Sequence, residues 1–289
     1  MSGPCSGLTV LDFSFGMPGA LATAVLADFG AEVIKIEPPN GDPFRSNPSW
    51  LAWNRGKKSI VLDLETSEAR EQVKDLVARA DVIVESFQPR VRKRLGMDYE
   101  TLSALNKRLV YCSINGFGQK GRFNNLKDYE GIVAAKSGRM STFSGQINRD
   151  GPVYAAVQVA SWAASQAGVR GILGALRIRD RLGRGQWVQT SVMQGMIPYD
   201  FGGLINGFFH RKDPERFVAD PLADLLRMPT LEYIPVRTKD GRWLQHANNR
   251  QGPRLLPAHL RAIGLGWVYD EDLFKSLPNL NEDAREALR

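Results

Sequence analysis

The stretch from Leu8 to Pro39 limits the possible folds more than any other part of the chain. Val10, Leu11 and Phe13 form a short apolar run, broken by Gly16, Pro18 and Gly19. Ala20 to Phe29 is a helix-length window of small and apolar residues that stops at Gly30, and Ala31 to Ile36 is a second apolar run rich in β-branched residues. Two buried strands joined through a helix require a right-handed crossover and a parallel sheet. Ligands of such sheets bind at the carboxyl ends of the strands, here around Ser14 to Gly19 and Glu37 to Arg45.

The alternation continues. Asn40 to Lys58 is polar and holds Pro43, Pro48 and Gly56, which predicts a long loop. Ser59 to Leu64 reads as a strand, and Thr66 caps a helix with Val73, Leu76 and Val77 on one face. Val82 to Val84 is a strand ending in the group Glu85 to Pro89. Asp98 opens a short helix, and Leu109 to Ile114 is a strand ending at Asn115-Gly116-Phe117-Gly118. Repeated strand–helix pairs with polar, glycine-containing carboxyl ends predict a doubly wound α/β domain. Further on, Val157 to Leu182 reads as one long helix, whose many Ala, Gly and Ser residues predict close packing against other backbone. Gly183 ends it, Gln186 to Ser191 is a strand, and Met193 to Phe209 is a bridging helix with an irregular end. Tyr233 to Leu244 reads as a hairpin turning at Asp240-Gly241, followed by helices over Leu255 to Leu265 and Asp270 to Leu277 and a last one running into Arg289. The expected organisation is a large domain over 1–200, a linker over 201–225 and a small domain over 226–289.

Several functional classes are disfavoured by what the chain lacks. Its two cysteines, Cys5 and Cys112, make neither a disulfide framework nor metal spacing, which points to a reducing cytoplasm and no metal. Residues 1–7 lack the basic region of a signal peptide, and no apolar run is long enough to span a membrane. The net charge of +7 suits a polyanionic ligand. The basic clusters at Arg55 to Lys58, Arg90 to Arg94 and Arg177 to Arg184 read individually as solvated surface, and no aromatic interleaving supports nucleic-acid binding. For a dinucleotide site the first turn offers only Gly16-Met-Pro-Gly19, which leaves Glu37 a weak match to a ribose-binding acid. There is no P-loop, no G-x-S-x-G elbow and no H-E-x-x-H, and His210, His246 and His259 all lie late in the chain.

A set of segments taken together resembles the class III CoA-transferases, the formyl-CoA transferase and carnitine CoA-transferase type. They are VLDFS, LADFGAEVIKIEPPNGDPFR, NRGKKSIVLDL, ARADVIVESFQPRVRKRLGMDYETLSALNKRLVYCSINGFGQKG, LKDYEGIVAAKSGRMS, RGILGALRIRDRLGRGQWVQTSVMQ and VRTKDGRWL, in the family's order from Gly7 to Leu244. The resemblance implies a Rossmann-like large domain with a parallel sheet, a smaller domain, and two interlocked subunits in a homodimer. The C-terminal segment of such proteins returns to the large domain, so the run into Arg289 implies that this segment is missing here.

By position, the resemblance implies that coenzyme A, delivered as an acyl-CoA, lies over the carboxyl ends of the sheet. Met17 and Pro18 would approach the pantetheine, while Ser86, Phe87 and Pro89 form the adenine-side loop. Arg94 and Lys127 would meet phosphates. An adenine ring favours an apolar shelf and a diphosphate favours fixed cations, although Phe87 reads equally well as a core residue. The implied partners are an acyl-CoA and a small carboxylic acid, between which CoA moves through carboxylate-bound enzyme intermediates.

The family's nucleophilic aspartate falls on Ser161 when the chain is aligned through GILGAL and GRGQ. A hydroxyl is un-ionised at neutral pH, and its ester lacks an anhydride's activation. Glu130 stands where the family often carries an acid and could supply the carboxylate, or only form hydrogen bonds. Alternatively the chain is a catalytically degenerate CoA-binding half, the N-terminal part of a tandem protein, that scaffolds an active partner half-domain. The α-methylacyl-CoA racemase branch fits less well, since Asp128 occupies the position of its histidine and Ser161 that of its aspartate.

Overall fold

The computed structural model describes residues 3–142, 152–155, 157–199, 209, 211–216, 235–245, 257–258, 260–262, 264–275 and 281–287. Strand β1 (Thr9–Phe13), helix α1 (Met17–Asp28) and strand β2 (Glu32–Glu37) form the opening unit. Helix α2 (Ser49–Trp53), strand β3 (Lys58–Val61), helix α3 (Ser67–Arg79) and strand β4 (Val82–Glu85) follow. Helix α4 (Pro89–Arg94), helix α5 (Tyr99–Leu105) and strand β5 (Val110–Asn115) complete the next stretch. Then come helices α6 (Glu130–Ser137), α7 (Arg139–Thr142) and α8 (Val159–Leu182), strand β6 (Trp187–Ser191) and helix α9 (Val192–Met196).

The six strands form one parallel sheet in the order β3-β2-β1-β4-β5-β6. Strand order reverses between β1 and β4, so their carboxyl ends flank the crevice where open α/β sheets take ligands. The doubly wound α/β fold expected from the alternation is therefore present. Local chemistry sets the helix ends. The Thr66 hydroxyl accepts the Ala69 N–H at 3.2 Å, and Asp98 accepts the Thr101 N–H at 3.0 Å. Helix α1 has no side-chain cap; Gly16, at φ 70°, turns the chain into it and a proline occupies its first turn.

One face of the sheet buries Leu11, Phe13, Ile83 and Tyr111 against Val73, Val77 and Leu102. On α8, a Cβ at Gly168 would lie 2.6 Å from Ile114 Cδ1, and one at Gly171 would lie 2.5 Å from Val188 Cγ1. The small residues of α8 thus bring its axis onto β5 and β6 more closely than larger side chains allow, which explains the composition of that helix.

A buried charge network holds the carboxyl end of β1. Asp12 is fully buried; its Oδ1 accepts the Ser14 N–H at 2.9 Å and the Ser14 hydroxyl at 2.5 Å. Its Oδ2 accepts the Thr23 hydroxyl at 2.7 Å and the Lys57 ammonium at 2.9 Å. Lys35 donates to the Ser14 carbonyl at 2.8 Å and lies 3.1 Å from Asp42. Burial alone would raise the Asp12 carboxyl, but Lys57, Lys35 and the two hydroxyls outweigh it and hold the group well below the usual carboxylate range. Glu37 follows the same balance. Burial opposes it, Arg45, Ser59 and the Asp42 N–H overcome that, and its value falls to about 2.

Four sequence expectations require correction. The 40–58 stretch is not loop throughout, because Trp50 buries itself and nucleates α2, with the Arg45 guanidinium 4.4 Å above its ring. The strand expected over Ser59 to Leu64 ends at Val61. Asp270 to Leu277 does not form an α-helix where described; 3-10 turns occupy Gly266–Tyr269 and Asp272–Phe274. All three clusters read as solvated contain buried cations. Lys57 pairs with Asp12 at 2.9 Å, Arg92 with Glu85 at 3.1 Å, and Arg179 with Asp81 at 2.8 Å.

The chain divides into two compact units, Met1–Ser137 with Ala156–Tyr199 and Gly138–Ala155 with Asp200–Arg289. The sheet belongs to the first. The second includes the antiparallel hairpin of strands β7 (Pro235–Arg237) and β8 (Trp243–Gln245) anticipated from the sequence. The expected linker over 201–225 and the bridging helix beyond Tyr199 lie mainly outside the described residues.

Replacing Lys57 with Met leaves Asp12 buried without its closest cation, and breaking such a pair destabilises by about 3–5 kcal/mol. Urea unfolding should show that loss at pH 7. Because Asp12 and Glu37 hold protons less tightly folded than unfolded, their contribution is complete above the unfolded value of about 4. It should fall as pH drops towards 2, read as a decreasing urea midpoint over that interval.

Candidate functional site

The carboxyl ends of the strands carry most of the residues singled out from the sequence. Met17 and Pro18 open α1, half-buried, directly after the turn at Gly16. The Ser86 hydroxyl accepts the Phe15 N–H at 2.8 Å, which ties the loop after β4 to the loop after β1 across the switch point. Phe87 is 8% exposed, with its ring centroid 6.3 Å from that of Phe15 and 6.5 Å from that of Phe13. Its N–H donates to Glu85 at 2.7 Å, so the turn is set by the strand's own last carboxylate. Pro89 begins α4. Arg94 is exposed and forks onto Glu65 at 2.5 and 2.8 Å. Lys127 is exposed and makes no ion pair among the described residues.

Behind this loop Glu85 lies buried, accepting from Arg92 at 3.1 Å and from the Ser113 hydroxyl. Trp187 Nε1 donates to Ser113 at 3.0 Å, and the Arg92 guanidinium stands 5.1 Å over the Trp187 ring. Burial raises the Glu85 carboxyl, and Ser113, Arg92 and the Phe87 N–H offset that only in part. This cluster links β4, α4, β5 and β6, and so fixes the spacing of the strand ends.

Glu130 and Ser161 meet at the start of α8. Glu130, 7% exposed, begins α6; its Oε1 accepts the Ala160 N–H at 3.1 Å and its Oε2 the Ser161 N–H at 2.8 Å. Gln158, the residue preceding α8, supplies no side-chain cap. A carboxylate 30 residues earlier therefore caps a 24-residue helix, at the end where the helix dipole favours negative charge. Helix α9 backs the same turn, since a Cβ at Gly195 would lie 2.5 Å from the Ala160 carbonyl oxygen. Ser161 is 3% exposed, and among the described residues its hydroxyl makes no hydrogen bond. The adjacent Glu130 carboxylate is taken up by main-chain N–H groups and receives no hydrogen bond from that hydroxyl, so it does not activate it as a nucleophile.

Two nearby polar groups were not assigned a role from the sequence. Asp128, mostly buried, has its carboxyl raised by burial, with only its own backbone N–H acting against that. Asn115, 6% exposed at the end of β5, accepts the Gly118 N–H at 2.6 Å, and its Nδ2 is buried without a partner. The Asn-Gly-Phe-Gly run after an apolar strand is the signal that draws attention to Asn115. Asp128 has no equivalent, because its burial comes from packing against Gly116. No group of metal-ligating side chains occurs among the described residues. Nor is any helix there long and apolar enough to cross a membrane.

The open parallel sheet, its reversed strand order and the polar loops at its carboxyl ends define an α/β protein of Rossmann-like architecture. More specifically, the chain belongs to CoA-transferase family III, whose profile matches residues 5–288. It is 38% identical over 208 residues to the acetyl-CoA:oxalate CoA-transferase of Acetobacter aceti, covering 68% of this chain and 53% of that protein. It is also 38% identical over 206 residues to the succinate–glutarate CoA-transferase of Agrobacterium fabrum, with coverage of 66% and 51%. The chain thus spans about half the length of the curated relatives it matches. Among solved structures, a CaiB/BaiF family protein from Brucella suis superposes with a TM-score of 0.74 at 28% identity, covering all of this chain and 76% of that one.

Glu130→Ala leaves the buried N–H groups of Ala160 and Ser161 without acceptors, a loss of about 1–3 kcal/mol. Glu130→Gln keeps one acceptor oxygen and should lose roughly half as much. Thermal unfolding of the two variants against wild type gives the comparison; equal melting temperatures for all three would mean that Glu130 is not a cap that α8 depends on.

Proposed function

We propose that this chain binds CoA thioesters and takes part in moving CoA from an acyl-CoA to a free carboxylic acid. Family membership across residues 5–288 carries this reading. The named relatives are CoA-transferases acting on oxalate, succinate and glutarate. In such a transfer an enzyme carboxylate attacks the thioester carbonyl and expels the CoA thiolate, which leaves a mixed anhydride. The thiolate then attacks the enzyme's acyl carbon, releasing the first acid and leaving an enzyme–CoA thioester. A second carboxylic acid reverses both steps, so acyl activation is kept throughout.

In this reading CoA lies over the switch point, with its pantetheine along Met17 and Pro18 and its adenine beside the loop of Ser86, Phe87 and Pro89. Because Phe87 is almost wholly packed in the core, it would offer the adenine an edge rather than a full face. Arg94 would exchange Glu65 for a phosphate, and Lys127 would add a second cation. The protein would act in the cytoplasm, as a homodimer or with a partner half, and would use no metal.

A second reading is favoured by one observation. The residue at the nucleophile position, Ser161, is buried, and among the described residues its hydroxyl is hydrogen-bonded to no base. On that reading the chain is a CoA-binding half that supports an active partner domain. Racemisation of α-methylacyl-CoA esters is disfavoured by the same Ser161 and by Asp128 in place of a histidine.

Titration calorimetry with CoA and exchange of labelled CoA between acetyl-CoA and a series of dicarboxylates separate these readings. Binding with exchange supports transfer, binding without exchange supports the half-domain, and neither excludes both. Arg94→Ala and Lys127→Ala should each weaken CoA binding several-fold without shifting the melting temperature; unchanged affinity in both would remove them from the phosphate site.

A further inference from the structure

We propose that Asp128 is the carboxylate that opens the acyl-CoA in this chain. This rests on the transfer reading above and supplies the acid that Ser161 lacks.

Three carboxyl or hydroxyl groups gather near the carboxyl ends of β5 and β6, and their surroundings differ. Glu130 has both oxygens committed, at 3.1 and 2.8 Å, to the main-chain N–H groups of Ala160 and Ser161. Acylating it would remove the negative charge that the first turn of α8 stabilises and turn one acceptor oxygen into a poor one. The Ser161 hydroxyl is hydrogen-bonded to no base among the described residues. Asp128 has neither a cation nor a side-chain hydrogen-bond partner among the described residues. A partly desolvated, unneutralised carboxylate is high in energy, and converting it to an anhydride or thioester relieves a buried charge. Acylation is thus favoured at Asp128 by the same physics that disfavours it at Glu130.

The position of Asp128 is fixed tightly. A Cβ on Gly116 would lie 2.5 Å from Asp128 Cβ and 2.6 Å from its Cα, so the backbone at the end of β5 rests directly on this residue. The Gly116 carbonyl in turn accepts the Met193 N–H of α9 at 2.9 Å. Independent of Asp128, Asn115 and Gln119 on this stretch carry buried side-chain amide atoms that no described protein group satisfies. The Asn115 amide is oriented by the Gly118 N–H at 2.6 Å, which occupies its oxygen and leaves Nδ2 buried with no acceptor. Both polar atoms of the Gln119 side-chain amide are buried without partners as well. Buried donors of this kind are rare in folded proteins and call for an acceptor from outside the chain, a water or a ligand oxygen. A thioester carbonyl or a substrate carboxylate has the oxygen that the Asn115 amide requires.

The step balances without a further reactant. An Asp128 oxygen forms a bond to the acyl carbon as the carbon–sulfur bond breaks and the electron pair leaves with the CoA thiolate. That thiolate then attacks the Asp128 carbonyl carbon, and the original acid departs as its carboxylate, leaving CoA joined to Asp128 as a thioester.

The test uses the full chain incubated with acetyl-CoA or succinyl-CoA, reduced with borohydride and mapped by peptide mass spectrometry. Reduction converts a side-chain thioester to an alcohol and so records which residue carried CoA. The expected result is a reduced side chain at Asp128, absent in Asp128→Asn, which should retain wild-type CoA affinity by calorimetry but lose labelled-CoA exchange. Reduction mapped to Glu130, or exchange surviving in Asp128→Asn, overturns the assignment while leaving the transfer reading intact. Absence of both exchange and adduct in the wild-type chain overturns the transfer reading and this assignment with it.

Discussion

A carboxylate at the end of a central sheet strand is stable only if charge and hydrogen bonds meet it from all sides, and Asp12 is in that position. Its oxygens receive Ser14 from the following turn, Thr23 from α1 and Lys57 from the segment leading into β3. Lys35, on β2, reaches the same turn through the Ser14 carbonyl. Four separate pieces of chain are therefore held in register around one buried charge, and the loop after β1 takes its shape from them. That loop forms one wall of the crevice at the switch point. The Ser86 hydroxyl, accepting from Phe15, attaches the other wall to it. The site is built on a rigid frame because the desolvation penalty of Asp12 leaves the frame little freedom.

A second buried carboxylate, Glu85, plays the corresponding part on the other half of the sheet, where it draws in Arg92, Ser113 and, through Ser113, Trp187. At α6, α8 and the end of β5 stand two further carboxylates with different partners. Here one acid is used structurally, because Glu130 spends its oxygens on the start of α8. Asp128, two residues earlier, is left without such partners, packed on Gly116. The pair illustrates how neighbouring carboxylates acquire different roles from different surroundings, one stabilised by a helix end and the other raised by burial.

Much of the fold was legible because alternation of apolar runs with capped, helically spaced segments is a local property. Thr66 and Asp98 cap the helices they were expected to cap, Gly183 ends α8, and the small residues of that helix predicted its close approach to the sheet. Where expectation failed, a long-range contact had decided. Trp50 found a buried place and drew α2 out of a polar stretch. Arg92 and Arg179 looked like members of solvated basic runs, since no sequence pattern announces that Glu85 and Asp81 lie opposite them. The site residues divide in the same way. Met17, Pro18, Ser86 and Pro89 sit on turns that the strand pattern located, whereas the pairing of Glu130 with Ala160 and Ser161 spans some 30 residues and has no local signal.

By itself the sequence determined the parallel α/β architecture and, through the ordered set of motifs, the family. The architecture follows from periodicity, helix caps and turn residues, which act over a few positions. Aligned through the resemblance, it also set Ser161 where an aspartate was expected. Only the tertiary structure decided the strand order and which polar groups are satisfied: among the described residues Glu130 is occupied with a helix end, the Ser161 hydroxyl is hydrogen-bonded to no base, and Asn115 keeps an unused donor. Hydrogen-bond satisfaction and desolvation depend on which distant segments are brought together in space, and that information becomes explicit only when the chain has folded.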